Sequence, residues 1–258
     1  MFESRSLILF LVLSVTADLQ KEFDLTWPFN HKTPSWAGSQ QFTFTKIKAE
    51  YNSKGQWYAA NEFAVAEHAG THLDAPYHFD ADGWKVGDIP LENLHGNGIK
   101  IDLSNETKIH GNAATLLPKH LIEWEEKHGP IPQNSIVLVY FNWGKYYHDK
   151  AKYFGGDSLE HYKFPGISAE AAQWIVDTGK VLGVGIDTGS VDLGNTTDYP
   201  VHIILLKNKI YNLENVNIPE SLPEKGYWIT VMPMYIAEGT GAPVRIVAYL
   251  QKPHYFSF

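Results

Sequence analysis

Along this chain apolar and polar positions mostly alternate with a period of two, and only two stretches switch to the wider spacing of a helix. Phe42, Phe44 and Ile47 stand among Thr and Lys over 41–51, and 57–68 continues the alternation, so both predict strands. Asn52-Ser53-Lys54-Gly55 between them has the composition of a turn, which makes the pair a hairpin. Short apolar runs at 98–103, 135–141 and 181–187 predict buried strands. A second hairpin is predicted from 201–206 and 210–213 around Lys207-Asn208-Lys209, and strands at 227–236 and 244–250 close the chain. Helical spacing over 118–128 sets Leu121, Ile122 and Trp124 inward and Glu123, Glu125, Glu126 and Lys127 outward. Ser168 caps a second helix over 169–178, which Gly179 ends.

Strands outnumber helices and the two kinds are mixed, which predicts an α/β fold: a mixed central sheet or partial barrel with flanking helices. No linker, repeat or shift in composition divides the 258 residues, so one domain is expected over 18–258. Hydrophobic residues make up 44% of the chain, with 14 Tyr, 13 Phe and 8 Trp, enough apolar surface for a sizeable core.

The first residues depart from the pattern. Arg5 precedes the apolar run 7–13, and Val15 and Ala17 stand at the minus-three and minus-one positions of a cleavage site. That is the layout of a secretory signal peptide over 1–17, and it places the mature protein outside the cell or in the secretory lumen. The run is too short to span a bilayer, and no later stretch has about 18 consecutive apolar residues, so no membrane association is expected after cleavage. Cys is absent, which removes disulfides and excludes a cysteine nucleophile. Asn105-Glu106-Thr107 and Asn195-Thr196-Thr197 are glycosylation sequons for an exported chain. The formal net charge of −8 disfavours nucleic acid and anionic membranes as partners.

The candidate chemistry is concentrated in one segment. His68, His72, Asp74 and His78 fall within eleven residues. Imidazole nitrogen with carboxylate oxygen is a donor mix that holds Zn²⁺ or Mn²⁺ and leaves a position open for water. Gly70 and Pro76 interrupt any helix here, so extended or turning backbone is expected, in which 68, 72, 74 and 78 share parity and project to one side. His78 is open to two readings, a third imidazole ligand or an acid–base residue. No Gly-x-Ser-x-Gly elbow is present, and 183–189 does not complete a dinucleotide loop.

His68-x-Gly70-Thr71-His72-x-Asp74-x-Pro76-x-His78-Phe79 resembles the signature of the cyclase family of metal-dependent hydrolases, which includes bacterial-type kynurenine formamidase and isatin hydrolase. Further blocks in the same order are similar to that family's: 24–26 and 34–38, then 185–192, 200–202, 211–215 and 241–245. The resemblance implies the swivelling β/β/α form of the fold. It implies that His68, His72 and Asp74 hold one metal, that His202 binds a second, that Asp74 and Glu214 join the two, that His78 transfers protons and that Trp36 reaches the substrate pocket. The implied cofactor is Zn or Mn, two ions per subunit, and the implied partner is a small-molecule amide such as N-formylkynurenine.

In isatin hydrolase the position of Glu214 holds an amide and one Mn²⁺ suffices, so the carboxylate tilts the expectation toward a secreted, dinuclear arylformamidase. An isatin hydrolase-like cyclic amidase and a non-catalytic metal- or ligand-binding protein on the same fold are the alternatives. Read from residues alone, Trp36 also fits core packing, His202 a satisfied core histidine and Glu214 a surface acid. The family further implies a homodimer with an N-terminal arm, for which 18–40 is the expected segment. Gly189 and Ala37 depart from its pattern, so the pocket wall is expected to differ in shape.

Overall fold

The apolar runs of the middle of the chain form parallel strands because both their faces are covered. A computed structural model describes residues 21–250; the signal peptide expected over 1–17 lies outside them. In chain order the strands are β1 (Glu22–Asp24), β2 (Thr43–Tyr51), β3 (Trp57–Ala64), β4 (His72–Asp74), β5 (His95–Asp102), β6 (Thr115–Leu116), β7 (Ser135–Tyr140), β8 (Gly166–Ile167), β9 (Val181–Ile186), β10 (Tyr211–Glu214), β11 (Tyr227–Pro233) and β12 (Gly241–Tyr249). The helices are α1 (Ser104–His110), α2 (Pro118–His128), α3 (Lys150–Phe154), α4 (Ala169–Asp177) and α5 (Pro200–Lys207).

The main sheet runs β1-β12-β11-β5-β7-β9-β10-β4, and β4 also pairs with β12, so seven strands close into a barrel with β1 added outside the ring. The β5, β7, β9 and β10 neighbours are parallel and the other pairs antiparallel. Alternation along β7 divides the core: Ile136, Leu138 and Tyr140 pack with the residues of one cluster, Val137 and Val139 with the helices of the other. This is the mixed sheet closed into a barrel, with flanking helices, expected for the fold class.

Several elements differ from expectation. The segment 201–206 is not a strand but most of α5. Apart from His202 its sequence is apolar and carries no period of its own; Pro200 begins the helix, and Val201, His202, Leu205 and Leu206 form its buried stripe. Ile122 of α2 is 45% exposed, outside the face made by Leu121 and Trp124. The first hairpin forms as expected, but β3 ends at Ala64, before the His-rich segment, and every residue of β2 is exposed. Ser168 does cap α4, its hydroxyl accepting from Ala171 N at 3.1 Å.

Candidate metal centre

Three backbone devices bring the donors together. In β4, His72 and Asp74 are two apart and face the same side, as the parity reading required. The parity does not extend to its neighbours. Gly70, at φ +60°, turns the chain so that His68 folds back beside β4, and His78 ends a 3₁₀ turn, Pro76–His78, on the other flank. Across the ladder, Glu214 of β10 lies opposite His72 and Asn212 opposite Asp74. Residues more than a hundred apart in sequence therefore meet as an ordinary cross-strand pair. His202 reaches the same point from the first turn of α5.

The polar atoms converge. His72 Nε2 lies 3.1 Å from Asp74 Oδ1 and 3.5 Å from Glu214 Oε2. His202 Nε2 lies 3.3 Å from Asp74 Oδ2 and 3.2 Å from Glu214 Oε1. His68 Nδ1 is 2.6 Å from Asp74 Oδ1, and the His78 ring stacks on that of His68 with centroids 4.0 Å apart. Two groups of donors can each surround a cation, His68 with Asp74 and His78, and His72 with Asp74 and Glu214. Asp74 belongs to both. The resemblance set His72 with His68 on one ion, whereas here His72 groups with Glu214, and His78 is in reach of either of its two roles.

The residues fit bound metal on grounds of their own. His72 is fully buried, its Nδ1 is 2.9 Å from Gly70 O, and its Nε2 makes no hydrogen bond. A buried imidazole nitrogen without a hydrogen-bond partner, set between two carboxylates, fits a ligand to a cation. Burial by itself would lower the pKa values of His72 and His202, yet both are raised, His72 chiefly by the Asp74 charge and His202 by hydrogen bonds to Asp192, Asp74 and Glu214. Burial would raise Asp74, and the imidazoles around it hold it well below the usual carboxylate range instead. The cluster thus favours positive charge at its centre, which divalent cations supply. His78 is different: burial lowers it to about 4, so it is a neutral base at pH 7.

A cavity of about 330 Å³ opens onto these donors, walled by Trp36, Phe79 and Tyr199. Trp36 meets both of its readings, since it lines the cavity and also packs 5.3 Å from Tyr162 and 5.9 Å from Phe154. Its loop is tied to the donor segment by the Ser35–Ala69 bridge and by Gly70 N donating to Pro34 O at 2.9 Å. Tyr199 holds a left-handed φ of +48° at the start of α5, a conformation that costs a bulky residue energy and recurs at functional sites. Gly189, one of the departures, has its physical reason in Phe154, whose Cε1 would lie 2.6 Å from any added Cβ.

Two residues escaped the sequence reading. Asp192 stands within the 185–192 block with no role of its own, yet its Oδ2 is 2.7 Å from His202 Nδ1 and fixes which nitrogen faces the centre. Tyr199 carried no signal at all, because a positive φ at tyrosine has no sequence mark.

The Cyclase family model matches residues 23–193, 171 of the 258 positions. The chain belongs to the Cyclase family. Isatin hydrolase of Roseibium aggregatum is 29% identical over 215 residues, covering 79% of this chain and 80% of that protein. Kynurenine formamidase of Bacillus anthracis is 28% identical over 227 residues, covering 88% and 96%. Isatin hydrolase A of Ralstonia solanacearum superposes with a TM-score of 0.82 at 28% identity over 90% of this chain and 92% of that one. As a member of the Cyclase family the chain is an enzyme of the metal-dependent hydrolase class.

Proposed function

We propose that this enzyme hydrolyses an N-formyl aryl amine, N-formylkynurenine being the model compound, at a centre of two divalent cations, zinc or manganese. The observation that carries the reading is the pairing of Glu214 with His72 across the β4–β10 ladder. It adds a second carboxylate to Asp74 between the donor groups, and two anions offset the mutual repulsion of two cations about 3.5–4 Å apart, the spacing typical of such sites. His68 and Asp74 would hold one ion and His72, Asp74, Glu214 and His202 the other, with His78 beside them kept for proton transfer. A bound cation supplies Lewis acidity, which lowers the pKa of water from 15.7 toward about 7 and polarises a carbonyl.

The chain's own residues do the rest. Trp36, Phe79 and Tyr199 seat the aryl ring, and their faces suit a flat apolar group. His78 accepts the proton of the attacking water and returns it to the departing nitrogen, so that water adds across the C–N bond to give formate and the free arylamine. A cyclic amide of the isatin type is the second reading, favoured by the likeness to isatin hydrolase A over nine-tenths of the chain.

The proposal further takes the enzyme to be exported after loss of residues 1–17 and to work as a homodimer. Support for the dimer is the β2–β3 hairpin, which exposes Phe44, Ile47, Tyr51, Trp57, Tyr58 and Phe63, each at least half exposed. That arm lies downstream of the 18–40 segment expected to serve. No helix among the described residues is long and apolar enough to cross a membrane.

Formate release from N-formylkynurenine, measured beside isatin ring opening with and without a chelator, tests the reading. Formate release that chelation abolishes and that His78→Ala suppresses supports it. Turnover indifferent to chelation overturns the metal centre, and turnover of isatin alone moves the enzyme to the second reading.

A further inference from the structure

One ligand, His68, has both ring nitrogens engaged, and the hydrogens can be counted. On one side Nδ1 faces Asp74 Oδ1 at 2.6 Å; on the other Nε2 is 2.8 Å from Thr240 Oγ1. A threonine hydroxyl has one hydrogen to give. Here it goes to Glu67, whose Oε2 lies 2.7 Å from Thr240 Oγ1 and also accepts the Thr240 backbone N–H at 3.0 Å. Toward His68 the hydroxyl can therefore only accept, and Nε2 must carry the hydrogen. Nδ1, which faces the Asp74 carboxylate, is then the nitrogen left to ligate a cation or, where none is bound, to give a hydrogen to Asp74.

We propose that Glu67 and Thr240 are positioning residues for the metal centre, acting as a relay that makes Nδ1 the ligand atom of His68. The inference rests on the metal reading above and adds residues to it. The relay is anchored on both strands beside the centre. Thr240 O accepts from Ala75 N at 2.9 Å, just past β4, and Gly241 begins β12 directly opposite Asp74. The His68 ring lies against Gly241 so closely that a Cβ there would be 2.5 Å from its Cε1. Nothing else about Glu67 calls for a carboxylate turned toward the strand: among the described residues its side-chain hydrogen bonds both go to Thr240. Held this way, the ring cannot flip to present Nε2 without losing its hydrogen bond to the Thr240 hydroxyl.

The test uses zinc alone as the probe. Thr240→Val keeps the shape and removes the hydroxyl, and Thr240→Ser restores it. Glu67→Leu frees the hydroxyl hydrogen to turn toward Nε2. Zinc affinity by chelator competition is expected to fall about 10- to 100-fold in Thr240→Val and Glu67→Leu, the range for lost outer partners of a ligating histidine, and to recover in Thr240→Ser. Circular dichroism confirms that each variant is folded. Imidazole nitrogen NMR of the zinc-loaded wild type should place the His68 hydrogen on Nε2. A hydrogen on Nδ1 overturns the relay, as do folded variants that bind zinc as tightly as the wild type. Failure of the wild type to bind zinc or manganese overturns the metal reading instead; the relay is then decided in the metal-free protein, where a bare Nε2 overturns it and an Nε2 hydrogen upholds it.

Discussion

Asp192 Oδ2 receives two donors of the same residue, the ring Nδ1 of His202 at 2.7 Å and its backbone N at 3.1 Å. Its other oxygen takes Val201 N at 2.9 Å. One carboxylate thus caps α5 and orients the imidazole that α5 carries. The two tasks separate on substitution. Asp192→Ala should cost about 1 kcal/mol of unfolding free energy through the lost cap and about 10- to 100-fold in zinc affinity. Asp192→Asn keeps one of the two accepting oxygens, so it should lose less stability than Asp192→Ala while zinc affinity still falls. Urea unfolding and chelator competition measure the two effects separately.

Asp187 should impose a pH dependence on stability. Its carboxylate is buried, and burial lifts its pKa from 3.8 to about 6 although Phe141, Trp143 and Gly144 all donate backbone N–H groups to it. Because the folded state then binds the proton more tightly than the unfolded chain, the contribution of this group is greatest below pH 3.8 and is lost as pH rises to about 6. Across that window the wild type should lose up to about 3 kcal/mol relative to Asp187→Asn. Equal slopes of unfolding free energy against pH in the two proteins would show that Asp187 titrates normally.

The aromatic wall should act on substrate binding more than on chemistry. Trp36 and Tyr199 line the cavity without joining the donor cluster. An aromatic contact is worth about 0.5–1.5 kcal/mol beyond its buried area, so Trp36→Leu or Tyr199→Leu should raise KM for an aryl formamide by about 2- to 12-fold. The kcat should change less. For an aliphatic formamide KM should hardly move, and steady-state kinetics on the two substrates makes the comparison.

The exposed hairpin should control assembly. An isolated two-stranded hairpin is marginal in water, and β2–β3 offers large apolar side chains on both strands. Replacing 43–64 by a short Gly-Ser turn should convert a dimer into a monomer in light scattering after gel filtration. A wild-type protein that is monomeric at micromolar concentration contradicts the dimer.

Much of this molecule was legible in its sequence where side-chain chemistry and period agree. The His68–His78 segment announced its donors by density, and β7 and β9 announced burial by unbroken apolar runs. Legibility failed where tertiary context outvotes the local pattern. The run after Pro200 is apolar apart from His202 and carries no period, so α5 read as a strand. The parity of 68, 72, 74 and 78 suggested one continuous ribbon, whereas only 72 and 74 are in a strand and the flanking histidines arrive by turns. The partners of His68 and His202 were hidden for another reason: Thr240 and Asp192 are ordinary turn residues whose meaning lies in the hydrogen bond, and sequence spacing does not report it.

β4 is three residues long and has a neighbour on either side, β10 and β12. A strand so enclosed has no free edge from which it could slide by one residue, a slip that would turn both His72 and Asp74 away from Glu214. The spacing of these donors is accordingly written in peptide bonds instead of side-chain packing. Changes to the aromatic wall can retune which molecule enters while leaving the inorganic chemistry intact, which makes the lining of the cavity the natural place to redirect this enzyme.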